Sequence, residues 1–366
     1  MKDLIRLSNE YGSDTRYVVK GGGNTSLKQG NVMHVKASGY ALSTMDESGF
    51  VKMDLTKLSS MWEKTYPQNS DERERIVLQD LMDARCEGED KRPSVEALLH
   101  SLIPFRYIVH LHPAIVNGLT CSVSGEEGMK HLFSDALWIN IVNPGFILAK
   151  TVRDAMGEYE KEYKKVPSVI FLQNHGVFVG SDSAQGIDAI YDHIMKTLEH
   201  SLIRKPNFAP VRVNEKVVQR ALGLIQEATK DEDEWLLLAN QELLNYLKDK
   251  RAFYAISSSY TPDHIVYSSV APLYVSEEAY KSTDAPHQLE KLLQEHLEKL
   301  GSFPKVIAFQ NLGVFCKNES ARTLFVDTIK VAVFSESFGG PRFMEDEFIT
   351  FIRDWEVENY RSKVSS

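Results

Sequence analysis

The sequence predicts an α/β protein with a layered N-terminal domain followed by a smaller α/β domain. Three observations carry this expectation. Apolar strand-like runs alternate with amphipathic helical segments over roughly the first 200 residues. The segment "RKPNFAPVRVNE", residues 204–215, holds two prolines and breaks that periodicity, which divides the chain into domains 1–205 and 206–366. Finally, "VIFLQNHGVFV" at 169–179 returns as "VIAFQNLGVFC" at 306–316. Seven of the eleven positions agree (Val, Ile, Gln, Asn, Gly, Val, Phe), and an alanine-containing helix follows each copy, so the second domain reads as a degenerate half-repeat of the first.

The elements follow in order. A short helix opens the chain, and "RYVVKGGGNTSLKQGNVMHVKAS" reads as a strand, a glycine loop, a strand, a Gln-Gly-Asn turn and another strand. Residues 71–88, "DERERIVLQDLMDARCEG", predict a charged amphipathic helix whose acidic and basic residues form a solvated face. After "KRPS" come the helical "VEALLHSLIP", the strand "RYIVHLHP" and a helix from about Ala114. The alternation continues through "VPSVIFLQNHGVFVGS" and a helix over 183–203. Sheet polarity is not legible in this pattern.

At 366 residues and 43% hydrophobic, the chain can bury a large core. Its net charge of −9 argues against broad electrostatic binding to nucleic acid or an acidic membrane, so local groups must hold any anionic substrate. Charges scattered through "MKDLIRLSNE" do not suit a signal peptide, and no apolar run reaches membrane-spanning length. A cytoplasmic location is expected. Cys86, Cys121 and Cys316 are odd in number and form no CxxC arrangement, so they are expected reduced and buried, outside any disulfide or thiolate zinc framework.

Chemistry concentrates around "YIVHLHPAIVNG". His110 and His112 lie two apart on a strand and therefore face the same side, where two imidazoles can chelate a divalent ion. An isolated HxH equally describes one hydrogen-bonded core histidine beside a surface one. His175, at the end of another strand in "QNHGVF", offers a third nitrogen, and three histidines leave a fourth position open as catalytic zinc sites do. The second copy of the repeat has Leu312 in place of His175, which suggests that His175 does chemistry where Leu312 only packs. Glu96 falls in the first turn of the helix before the HxH strand, with Ser94 as N-cap. There it either complements the helix N-terminus or, beside a metal, relays protons. "GGGNTS" at 21–26 is neither a GxGxxG nor a P-loop. Its glycines can turn backbone N–H groups toward an anion, with Asn24 and Ser26 as added donors, or simply turn a hairpin corner. Ser38 and Gly39 in "ASGY" form a second tight turn.

Together "GGGNTS", "ASG", "PSVEALLH", "HLHP" and "NHGVF", in this order over residues ~8–203, resemble the class II aldolase/adducin family. The surrounding residues look most like the aldolase domain of bifunctional rhamnulose-phosphate aldolases, which carry a short-chain dehydrogenase that does not follow within these residues. "TPDHIVYSSVAPLYV" and "DWEVENY" are similar to segments after the aldolase domain in that subgroup. The resemblance implies a three-layer α/β/α fold with a central, mostly antiparallel sheet. It implies His110, His112 and His175 as metal ligands and Glu96 as acid/base. Gly23, Asn24, Ser26, Ser38, Gly39 and Ser94 become the binders of a substrate phosphate. The implied cofactor is a divalent metal, zinc first, with manganese, cobalt and nickel also suited to three imidazoles. The implied partner is a small phosphorylated sugar, and a homo-oligomer is expected because the family commonly forms fourfold rings.

The implied reaction cleaves a ketose 1-phosphate to dihydroxyacetone phosphate and an aldehyde through a metal-stabilised enediolate. Two departures stand out. Val95 replaces a second phosphate-binding serine of fuculose-phosphate aldolase, and the proton-donating tyrosine of that enzyme has no counterpart in "DALWINIVNPGF", with His131 only distant. A 4-epimerase or a dehydratase would use the same metal, although epimerases carry aspartate where Glu96 stands. An adducin-like interaction module would lack the three histidines. Metallohydrolases and cupins extend an HxH with a nearby Asp-His or glutamate, and "HLHPAIVNG" has neither.

Overall fold

The computed structural model describes residues 1–230 and 234–355, so Glu356–Tyr360 of "DWEVENY" lie outside the described residues. The chain divides into two compact units. One takes Met1–Thr120, Ser124–Ser201 and, among the described residues after the second unit, Asp354 and Trp355; the other takes Cys121–Val123 and Leu202–Arg353. The chain leaves the first unit just ahead of residue 205, but 121–123 belong to the second. The reason is a short backbone ladder distant in sequence, in which Val123 N–H donates to Gly340 O (3.0 Å) and Arg342 N–H to Cys121 O (2.8 Å).

In the first unit α1 (Lys2–Ser13) precedes β1 (Asn24–Gln29), β2 (Val32–Lys36) and β3 (Phe50–Asp54), followed by α2 (Leu55–Ser60), α3 (Ser70–Asp83) and α4 (Ala97–Leu102). Then come β4 (Tyr107–Leu111), α5 (Ala114–Thr120), α6 (Gly125–Leu132), β5 (Leu137–Ile139), α7 (Phe146–Tyr163), β6 (Val169–Leu172), β7 (Gly176–Ser181) and α8 (Ala184–Ser201). The seven strands order as β3-β2-β1-β4-β7-β6-β5. All neighbours are antiparallel except β5 and β6, in agreement with the mostly antiparallel sheet expected from the resemblance. Alternation decides the layers. Met33, Val35, Ile108 and Ile170 pack with Leu58, Val77, Leu98 and Val152 of α2, α3, α4 and α7 in one core. On the opposite face lie α1 and α8, and from α8 the buried Tyr191 hydroxyl donates to Val109 O of β4 (3.0 Å). The unit is therefore a three-layer α/β/α sandwich.

Three local expectations change. "RYVVK" is a turn and not a strand, because Asp14 O accepts from the N–H groups of Tyr17 (2.9 Å) and Val18 (3.1 Å) and Lys20 adopts φ 56°. The charged helix stops at Asp83, and its polar residues are not all solvated. Arg73 and Glu74 are buried together at 3.1 Å, and Glu74 also accepts from Phe146 N–H (3.2 Å), with burial raising its carboxyl above the ordinary range. Cys121 and Cys316 are buried and outside any disulfide, as expected, but Cys86 is half-exposed because it lies past the helix end.

The second unit holds α9 (Glu215–Thr229), β8 (Leu236–Leu238), α10 (Gln241–Tyr246), α11 (Lys250–Phe253), α12 (Pro262–Ser268), β9 (Leu273–Val275) and α13 (Glu277–Lys281). It continues with α14 (Ala285–Leu300), β10 (Val306–Phe309), β11 (Gly313–Cys316), α15 (Glu319–Ser335) and α16 (Asp346–Asp354). Its sheet runs β8-β11-β10-β9, with β9 and β10 parallel and the other neighbours antiparallel. This is the pattern of β4-β7-β6-β5 in the first unit. Among the described residues no helix is long and apolar enough to cross a membrane.

Candidate metal centre and acid/base site

Register in the sheet assembles the site. His110 on β4 stands opposite Asn24 of β1 on one side and Phe178 of β7 on the other. His112 follows at the strand's C-terminal end. His175 occupies the tight turn between β6 and β7, where Asn174 takes φ 55° and His175 N–H donates to Leu172 O (3.2 Å). Two glycines make this convergence possible. A Cβ on Gly176 would stand 2.5 Å from Leu111 O and 2.6 Å from His112 Cδ2, and one on Gly23 would stand 2.7 Å from His110 O, where φ is +76° as well. Gly23 of the "GGG" run thus lets the backbone pass close behind His110.

The three Nε2 atoms face one another. His110 Nε2 lies 2.8 Å from His112 Nε2 and 3.4 Å from His175 Nε2, and the ligand atoms of all three fall within 4.8 Å. His110 is wholly buried and its Nδ1–H donates to Val177 O (3.0 Å), which fixes the tautomer that turns a lone pair on Nε2 toward its neighbours. Phe178 stacks on the His110 ring at 3.9 Å and holds its plane. A tetrahedral zinc ion with bonds of about 2.05 Å sets its nitrogens about 3.3 Å apart, so this donor set fits such a cation.

Glu96 completes the cluster. It lies at the N-terminus of α4, and its Oε1 is 3.4 Å from His110 Nε2 and 3.6 Å from His175 Nε2. The helix begins at Ala97, two residues later than expected, so Glu96 and not Ser94 is its N-cap. Ser94 nevertheless serves that turn, its Oγ accepting from Glu96 N–H and from Asn24 Nδ2, both at 3.3 Å. Asn24 Nδ2 also donates to Glu96 Oε2. Ser38 and Gly39 come alongside through a bridge between Ala37 and Pro93, with Ser38 N–H donating to Arg92 O (2.9 Å) and Ser94 N–H to Lys36 O (3.2 Å). Asn24, Ser94, Ser38 and Gly39 are therefore brought to one edge beside Glu96.

Ser26 and Gly23 occupy other places than a substrate rim. Ser26 is 0% exposed and its Oγ lies 2.7 Å from His100 Nδ1, so its hydroxyl is used inside the protein. Gly23 is buried against the strand carrying His110. His131 sits exposed on α6. Sequence reasoning missed His100 and Phe178. His100 is four residues after Glu96, a helical spacing that places both side chains on one face and was the available signal. Burial drives the His100 imidazole down to about 3, so it is neutral throughout the physiological range. Lys28, also pushed down by burial, to about 8, donates to Ser101 O (2.9 Å) and Ile103 O at the far end of the same helix.

The second unit repeats the frame without the ligands. Leu238 pairs with Val314 as Leu111 pairs with Val177, which places Leu237 and Ala239 at the positions of His110 and His112, and Leu312 at that of His175.

Comparison with known proteins then bears on the family. The uncharacterized oxidoreductase YuxG of Bacillus subtilis strain 168 is 23% identical over 327 residues, covering 82% of this chain and 46% of YuxG. The chain therefore spans less than half the length of that relative. The N-terminal class II aldolase domain of a conserved protein from Thermoplasma acidophilum aligns at 25% identity and a TM-score of 0.46, over 54% of this chain and 91% of the other. An L-fuculose-1-phosphate aldolase from Thermus thermophilus aligns at 15% identity and a TM-score of 0.35, over 54% and 89%. The model of the class II aldolase and adducin N-terminal domain matches residues 2–195, more than half of the chain, and the protein belongs to that family.

Proposed function

We propose that the first unit is a divalent-metal-dependent carbon-carbon lyase acting on a ketose 1-phosphate, releasing dihydroxyacetone phosphate and an aldehyde. The observation that carries this reading is the convergence of three imidazole Nε2 atoms with the Glu96 carboxylate beside them, 3.4 Å from His110. His110, His112 and His175 would hold the metal, with zinc first among the cations that suit them. When bound, such a cation supplies Lewis-acid polarisation of a carbonyl and its neighbouring hydroxyl.

The chain's own residues do the rest. Glu96 Oε1 accepts and returns the proton at the reacting carbon, within reach because Asn24 and Ser94 pin the turn that carries it. Asn24 spends both amide hydrogens on Glu96 and Ser94, which leaves the edge formed by Ser38, Gly39 and Ser94 to receive the phosphate through backbone N–H and hydroxyl donors and to fix the reacting carbon remotely. The overall charge of −9 makes such local donors necessary.

The test is metal content by mass spectrometry and dihydroxyacetone-phosphate release from a panel of ketose 1-phosphates, on wild type and Glu96→Gln. About one metal per chain in both, with release reduced about 10³-fold in the variant, is the expected result. Metal without release from any substrate would transfer the site to epimerase or dehydratase chemistry. Absence of metal from both would make a non-catalytic binding module the better reading.

A further inference from the structure

A buried hydrogen-bonded chain runs from the core to the acid/base group. A carboxylate only accepts hydrogen bonds, so the Asn24 atom facing Glu96 Oε2 is the amide nitrogen, and Asn24 Oδ1 must face His100. His100 Nε2 therefore carries the proton and donates it to Asn24 Oδ1. Its Nδ1 is left as an acceptor, and the Ser26 hydroxyl donates to it at 2.7 Å. Every member is enclosed, with Ser26 and His100 at 0% exposure and Asn24 at 5%, so water cannot substitute for a missing partner. Phe178 closes the remaining side, with its ring edge-on to His100 at 5.3 Å and stacked on His110.

We infer that His100 is a positioning residue: held in its Nε2–H tautomer by Ser26, it fixes the Asn24 amide so that the –NH2 end faces Glu96 and sets the carboxylate's aim. The inference deepens the reading of Glu96 as proton carrier and rests on it. A reversed amide would set a carbonyl oxygen against the carboxylate, and Glu96 would have to turn away. Lys28 supports the same geometry from the other end of the helix, by holding the carbonyls of Ser101 and Ile103. Substrate contacts made by other residues are untouched by this device, so its loss should appear in kcat and not in KM.

Two independent arms test the inference on the full chain loaded with zinc. Long-range 1H–15N spectra of histidine-labelled protein, with His100 assigned through His100→Gln, should show one Nε2–H tautomer. In Ser26→Ala, which leaves the ring in place, the Nδ1–H tautomer should appear as well. An Nδ1–H ring in the wild type, or a single unchanged tautomer in Ser26→Ala, would overturn the inference whatever the reaction is.

In the kinetic arm, His100→Leu should retain its metal and lose about 10²-fold in kcat with KM within about twofold. His100→Gln, whose amide can still donate to Asn24 Oδ1, should recover to within about fivefold of wild type. Equal losses in the two variants, or a loss confined to KM, would show that His100 only fills space. If His100→Leu does not fold, Ser26→Ala serves in its place, with kcat lowered about threefold and KM unchanged, and an unchanged kcat would count against the inference. Wild type inactive on every ketose 1-phosphate would remove the lyase reading, and the tautomer spectra would still decide the positioning of Asn24.

Discussion

The hairpin at 169–181 and the hairpin at 306–316 are built alike, and only one of them ends in an imidazole. In each, the first strand pairs antiparallel with the second in the same register, Val169 with Val179 and Val306 with Cys316. Each turn carries an asparagine in the left-handed region, Asn174 at 55° and Asn311 at 59°. The glutamine before it accepts from a backbone N–H just past the neighbouring parallel strand, Gln173 from Ile141 (3.3 Å) and Gln310 from Glu277 (2.9 Å). The asparagine N–H then donates to the chain end of a short helical segment, to Thr120 O in one unit and Leu247 O in the other, both at 3.1 Å. Conformation therefore does not require a histidine in the turn. Leu312, 4% exposed among Leu273, Phe309 and Phe315, shows what the position does when it is only packed. A partly exposed His175 beside His110 and His112 is the exception that calls for a chemical reason.

The largest effect expected from this comparison comes from making the first hairpin resemble the second. His175→Leu should abolish stoichiometric metal by mass spectrometry and lower product release by at least about 10³-fold, while the thermal midpoint without added metal stays within a few degrees. The converse change, Leu312→His, should bind no metal and cost about 1–3 kcal/mol in urea unfolding, because an imidazole would enter an apolar site that offers no partner. Metal bound by Leu312→His would break the comparison.

An intermediate effect concerns acid. Neutral His100 in the first unit has its folded value near 3, against about 6.5 for an unfolded histidine, so below about pH 6.5 only the unfolded chain takes up its proton. Its contribution to stability is complete above that range and is lost at up to about 1.4 kcal/mol per pH unit on descending toward pH 3. Urea unfolding at pH 7, 6 and 5 should therefore show a steeper decline in wild type than in His100→Gln. Equal slopes would mean that the ring is not kept neutral.

The smallest effect tests the duplication itself. Asn174→Ala and Asn311→Ala should each cost about 1 kcal/mol, since alanine tolerates a positive φ poorly. Costs that differ by several-fold would show that the two turns are alike in outline only.

Much of the site was legible because strand periodicity is local. Two residues apart on a strand means one face, so His110 and His112 converge wherever the sheet goes. The repeat named His175 by what replaced it. His100 was not legible in the same way. A histidine in "VEALLH" reads as one more position on an amphipathic helix, and its meaning depends on β1 bringing Ser26 and Asn24 beneath it. The same dependence moved Ser26 from an expected phosphate donor to an internal hydrogen-bond partner, and turned Arg73 and Glu74 of a charged helix into a buried pair.

What the sequence by itself determined is the alternation of helix and strand, the duplicated hairpin and the residue types able to hold a cation, because each rests on spacing along a few neighbouring residues. Only the tertiary structure decided the strand order that places β1 and β7 on either side of His110, the sheet polarity, and which polar groups are spent inside the protein. Those depend on pairing between segments far apart in the chain, where cross-strand register and exclusion of water, not local pattern, set each side chain's partner.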